Sequence, residues 1–136
     1  MEGKATNSIA DLVIDSEGNS YIVGTFYDTC TFGSTTLVAE SGIAAYFAKI
    51  DSAGNQIWIT QSEEYAVGTA IAVSTTGDII VGGYTLGDPG TPFSIGSVTL
   101  TRPNSNKHYF LSKLDASGTA QWIKMYETAY HFSTKA

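Results

Sequence analysis

Residues 9–26, IADLVIDSEGNSYIVGTF, align without a gap onto residues 68–85, GTAIAVSTTGDIIVGGYT, at an offset of 59, with Gly18 on Gly77 and Gly24 on Gly83. A second stretch repeats as well. YFAKIDSAGNQIW at 46–58 falls on FLSKLDASGTAQW at 110–122 at an offset of 64, which sets Lys49, Asp51, Gly54 and Trp58 on Lys113, Asp115, Gly118 and Trp122. A self-similar period of this size is the mark of a repeat architecture in which each copy is one supersecondary unit. The step from 59 to 64 gives the second copy five extra residues in the connection around 86–109. Length variation of that kind marks a surface connection.

Each copy divides into four short strands. The front pair, 9–15 with 20–26 and 70–74 with 78–85, carries the apolar runs LVI, YIV, IAV and IIV, the pattern of strands covered on both faces. The back pair, 44–51 with 56–60 and 108–115 with 120–124, ends in Trp58 and Trp122. One turn chemistry joins every pair: Asp15 to Gly18, Asp51 to Gly54, Ser74 to Gly77, and Asp115 to Gly118. The oxygen of an Asp or Ser opening a turn accepts backbone N–H groups two residues on, and a glycine three places later takes the positive φ that closes a bulged hairpin. Gly18, Gly54, Gly77 and Gly118 are therefore expected at positive φ. No stretch sustains helical apolar spacing, so the chain is expected to be all-β: two four-stranded antiparallel sheets, 1–67 and 68–136, each shaped like a β-propeller blade. A sandwich would not repeat its turns at a fixed period.

Composition narrows the function classes. With 43% hydrophobic and 15% charged residues in 136, the chain is globular. A net charge of −6 from 7 basic and 13 acidic residues leaves no basic surface to displace counterions from nucleic acid. No apolar run reaches the length of a membrane span, and Met1 is followed by Glu2 and Lys4 rather than an apolar leader, so neither membrane insertion nor a signal peptide is expected. Cys30 is the single cysteine, which excludes an internal disulfide.

The order of pieces resembles the bacterial SBBP-type β-propeller repeat. Carrying the resemblance are Asp15 with Gly18-Asn19, the run Tyr21 to Thr25, Phe32-Gly33 with Leu37, Phe47 with Lys49 and Asp51, Gly54-Asn55 and Trp58. In the second copy Gly77-Asp78, Val81 with Gly83, Phe93 with Gly96 and Leu100, Lys113 to Asp115, Gly118 and Trp122 answer to them, while Ser74 replaces Asp15 and Thr119 replaces Asn55. The resemblance implies an exported or cell-surface bacterial setting and a scaffold or interaction role, with no catalytic residues to transfer.

Two blades do not close a propeller. A sheet apolar on both faces needs a neighbour on each side, so the expected partners are further copies of the chain, three for six blades or four for eight, or further blades of a longer chain. The spacing from Trp58 to Ala70, applied from Trp122, reaches residue 134, where a third first strand would begin.

The residues offer little chemistry. Asp15 to Asn19 could supply too few oxygens for a calcium loop, His108 and His131 stand 23 residues apart without companions at ligand spacing, and Glu63 with Glu64 are adjacent in a connection. Cys30 lies in no nucleophile motif. No catalytic residue, metal or cofactor is expected. Trp58 and Trp122, at one repeated place, are expected to pack between blades. Ligand-binding candidates lie in the connections 27–43 and 86–108, where Tyr27, Asp28, Asp88, Arg102, Asn104, Asn106 and His108 could face a glycan or protein from one rim. The leading expectation is a non-enzymatic, self-assembling binding or scaffolding module. The alternatives are a sugar-binding lectin of the same build and an enzyme whose site forms only in the assembled ring.

Overall fold

The computed structural model describes residues 7–127; His131 and the repeat boundary at 134 lie outside them. Every regular element among the described residues is a strand. The first sheet is β1 (Ser8–Ile14), β2 (Ser20–Phe32), β3 (Thr35–Ile50) and β4 (Gln56–Gln61), antiparallel in chain order. The second is β5 (Ala66–Val73), β6 (Ile79–Thr85), β9 (His108–Leu114) and β10 (Ala120–Glu127), also antiparallel. Between β6 and β9 stands a separate hairpin, β7 (Pro92–Ile95) with β8 (Val98–Thr101). None of these residues forms a helix long and apolar enough to cross a membrane.

The two sheets share one register. Leu12 faces Ile22 as Ile71 faces Val81, Ile22 faces Ala48 as Val81 faces Ser112, and Lys49 faces Trp58 as Lys113 faces Trp122. Both bulges recur at matched places, between Ile9/Asp11 and Gly68/Ala70 and again between Lys49/Ile50 and Ala120/Trp122. The turns repeat in atomic detail. The Asp15 carboxylate accepts the N–H of Glu17 at 2.9 Å and of Asn19 at 3.0 Å, and Asp51 and Asp115 do the same two and four residues on. In the third turn along the chain the Ser74 hydroxyl accepts from the N–H groups of Thr76 and Asp78. Gly18, Gly54, Gly77 and Gly118 stand at φ of 87°, 90°, 91° and 85°, a region that costs an L side chain strain.

The sheets stack in the same sense. The first sheet's forward face carries Tyr21, Val23, Ala45 and Phe47, which join one core with Ile79, Val81, Phe110, Leu114 and Ile123 of the second. In the repeat these last five match Ser20, Ile22, Tyr46, Ile50 and Ile59. All but Ser20 belong to a separate cluster on the first sheet's rear face. Forward face therefore meets rear face, and among the described residues no sheet stacks on the first sheet's rear face or the second sheet's forward face. Each large apolar side chain fully buried at the junction, Phe47 and Phe110 among them, contributes roughly 1.5–3 kcal/mol by leaving water.

The connections differ from the sequence expectation. Instead of a loop over 27–43, β2 and β3 run on as a paired arm to a turn at Gly33, with Cys30 opposite Leu37 and Phe32 opposite Thr35. Thr29, Thr31, Thr35, Thr36 and Val38 favour extended backbone, but a bulge between Tyr27 and Thr29, with Asp28 at φ 57°, breaks the alternation that would have announced it. In the second sheet β7 and β8 form the same arm, detached from its parent strands, with Phe93 opposite Leu100 and Ile95 opposite Val98. Gly33 and Gly96, at φ 63° and 61°, mark the shared turn. Phe93 thus holds the place of Cys30, and Ile95 that of Phe32.

Candidate functional site

The junction between the sheets is the most built region. Trp58, on β4, lays its ring over the turn of the opposite sheet and donates its indole N–H to the Ala116 carbonyl at 3.1 Å. Two residues on, the Thr60 hydroxyl donates to the Gly118 carbonyl at 3.0 Å. At the other end the bulge at Asp11 turns its carboxylate to accept the Ile71 N–H at 3.1 Å, and the Thr25 hydroxyl accepts the Gly68 N–H at 3.1 Å. Gly68 matters for its lack of a side chain: a Cβ there would lie 2.6 Å from a Val23 methyl. Val23 fills the space that this glycine leaves.

Along the turn edge of this junction runs a groove of about 390 Å³, with Asp15, Glu17, Lys49, Thr75 and Thr76 among its walls. Its carboxylate and phenol are tied to each other. Asp15 accepts from the Asn19 side-chain amide at 3.0 Å and from the Tyr21 hydroxyl at 2.9 Å. These bonds, that of Asn19 foremost, lower its pKa to about 2. Burial, helped by Asp15, pushes Tyr21 up to about 12. A general acid or base works best with a pKa near the operating pH, and both groups lie far from neutrality. The groove can offer hydrogen bonds and charge to a polar ligand; it does not offer proton transfer through this pair.

The rim candidates separate into two groups. Tyr27, Asp28 and Asp88 are exposed, and Asn104 and Asn106 both donate side-chain N–H groups to the Glu127 carboxylate, knitting the β8–β9 connection to β10. Arg102 and His108 are buried instead of facing solvent. The Arg102 guanidinium donates to the Thr91 hydroxyl at 3.1 Å, the Pro92 carbonyl at 2.9 Å and the Thr85 hydroxyl, and lies 5.8 Å from the Phe93 ring centre. Gly87 makes room for it, since a Cβ there would sit 2.6 Å from the guanidinium carbon. Burial lowers the Arg102 pKa and, at Glu64, whose carboxylate accepts the Ser94 N–H at 2.7 Å, raises that of the acid. His108 opens β9 on the rear face beside Phe110, cross-strand from Thr85. Arg102 braces the second sheet from inside, whereas neither ring nitrogen of the buried His108 has a hydrogen-bond partner among the described residues; these two leave the set of seven expected at an exposed rim.

The Trp58 and Trp122 side chains are both half-buried, and among the described residues Trp58 alone has a second sheet to pack against. On the first sheet's rear face, Cys30, Phe32, Leu37 and Tyr46 line an apolar cavity of about 330 Å³ that reaches Asn7, Ser8 and Ile9. The matching space of the second sheet holds the Phe93 ring, 4.9 Å from Phe110. Burial raises the Cys30 thiol pKa, which keeps the nucleophilic thiolate scarce. Among the described residues no group of three or more His, Cys, Asp or Glu side chains comes together to hold a metal ion.

No protein-family model matches the chain, and no curated protein matches it.

Proposed function

We propose that the chain is a two-blade unit of a β-propeller, a non-catalytic scaffolding or binding module that completes its ring with further copies of itself and works outside the cell or at its surface. The observation that carries this reading is the same-sense stacking of two sheets with one register. Stacking that sets a forward face on a rear face regenerates the same pair of unused faces at the ends, however many sheets are added, and a ring is the arrangement in which none is left over. The resemblance of the repeated turns and strands to the SBBP-type repeat supports the propeller and the extracellular setting. The held protonation states of Asp15 and Tyr21, and the enclosure of Arg102 and His108, support binding over catalysis.

The mass in solution tests it. A ring of three or four chains has three or four times the 14.4 kDa of one, and sedimentation or light scattering at micromolar concentration reads the difference. A single 14.4 kDa species would remove self-closure from the reading.

A further inference from the structure

We infer that a second copy docks head to tail, its first sheet's rear face on this chain's second sheet's forward face, with Ile9 entering the gap at Gly82 and Trp122 closing over the turn at Gly54. The inference rests on the reading of the chain as a propeller unit and adds the partner's footprint. Several matched positions differ according to whether a sheet covers them. Ile71 in the junction is 5% exposed and its counterpart Leu12 is 48% exposed; Phe47 is 0% and its counterpart Leu111 39%; Ala45 is 0% and its counterpart Tyr109 44%. On the rear face Ile22 and Tyr46 are already buried, so what it exposes is the β1 edge with Ile9, Leu12 and Ile14, while the forward face exposes Tyr109 and Leu111; an isolated soluble chain seldom shows two such apolar patches.

The occupant is identified by an exchange of sizes. Inside the chain the large Val23 meets the small Gly68. At the ends the repeat exchanges the pair: Gly82 holds the place of Val23, and Ile9 that of Gly68. Among the described residues, the only side chain within 4 Å of a Cβ built at Gly82 is the end of Leu111. A face with a gap at one repeat position and another with an extra side chain at the opposing position fit each other better than either fits itself.

The turn repeats the argument. Gly118 lies under Trp58, whereas a Cβ at Gly54 would meet none of the described residues within 4 Å; Trp122 holds the place of Trp58 in the sheet that would face it. By the same offset its indole N–H would reach the Ser52 carbonyl, and Lys124, in the place of Thr60, would reach that of Gly54. Near the far end Tyr126 replaces Ser62, which bridges to Ile95, and the corresponding arm of a second copy has the cavity beside Cys30 in place of the Phe93 ring. The larger residue again meets the larger vacancy.

Two charge substitutions test the docking. Leu12→Arg disables only the rear face and Leu111→Arg only the forward face; both residues are exposed in the single chain, and circular dichroism with thermal melting checks that each variant folds. Each variant alone is expected to run as a 14.4 kDa monomer, and an equimolar mixture, which retains one sound junction, as a dimer. Trp122→Phe, which deletes the N–H donor, is expected to weaken assembly roughly fivefold, the worth of one hydrogen bond. If either charge variant keeps the wild-type oligomer, or the mixture stays monomeric, the footprint is wrong while the ring reading stands. A monomeric wild type overturns both.

Discussion

The Trp58 indole N–H donates to the Ala116 carbonyl across the sheet junction, and its ring lies so close over the next turn that a Cβ on Gly118 would come within 2.5 Å of it. Gly54, at nearly the same φ in the matching turn, has none of the described residues within 4 Å of the place a Cβ would take. Alanine at either position carries the strain of a left-handed backbone, about 1 kcal/mol. Gly118→Ala must also displace the tryptophan, and overpacking of that kind adds roughly 1–3 kcal/mol. Urea unfolding in the Leu111→Arg background, where assembly does not contribute, should therefore show Gly118→Ala clearly less stable than Gly54→Ala. Equal losses would mean that Trp58 swings away freely and does not lock the junction.

Arg102 is buried with three acceptors around its guanidinium. Arg102→Met keeps much of the apolar stem and removes every donor, leaving the Pro92 carbonyl and the hydroxyls of Thr85 and Thr91 short of partners; a loss of about 2–3 kcal/mol is expected. Lysine, a single point of charge without the planar fork, should recover only part of it. Gly87→Ala, aimed at the same guanidinium, should destabilise to a comparable degree. A near-neutral Arg102→Met would return this residue to the solvent-facing rim.

Cys30 stands where the second sheet has Phe93, beside the cavity on the rear face. Cys30→Phe should fill that space in the way Phe93 packs on Phe110, raising the stability of the monomeric Leu111→Arg background by about 0.5–2 kcal/mol. In the proposed assembly the same change should weaken association, because the phenyl ring would occupy the space assigned to Tyr126 of the next copy. Stabilisation of the chain without any effect on assembly would detach the cavity from the docking surface.

Much of this architecture was readable because one arrangement is written twice. The Asp-x-x-Gly spacing located four turns, and the gapless offsets of 59 and 64 anticipated which residues are equivalent. The arms were hidden by a local event: the bulge at Asp28 puts a left-handed residue into a strand, so the period of two fails where the ladder continues. Arg102 was hidden for a different reason. A charged residue between turn signals reads as solvent-facing, and what draws it inward is space left by Gly87, 15 residues earlier in sequence, together with acceptors at Thr91 and Pro92 across its own hairpin and at Thr85 on β6. The gap at Gly82 and the extra bulk of Ile9 were both present in the alignment, yet they acquire meaning only once the faces are assigned.

Acid should loosen the turns before it affects the core. Asp15 is held at about 2 against an ordinary 3.8 by its bonds to Asn19, Glu17 and Tyr21, and Asp51 and Asp115 are lowered by equivalent bonds. A carboxylate whose pKa is depressed by folding stabilises the fold above its unfolded value, and that contribution is lost as pH falls through the folded one. The window is therefore pH 4 down to 2 for Asp15. Glu64 works in the opposite direction, since burial raises its pKa, and its protonation on acidification relieves the fold at higher pH than this window. The thermal midpoint should thus change little on approach to pH 4 and fall steeply below it. Asp15→Asn, which cannot titrate, should start lower at neutral pH and show a shallower fall between pH 4 and 2. An unchanged slope in that variant would show that the Asp15 turn does not govern acid stability.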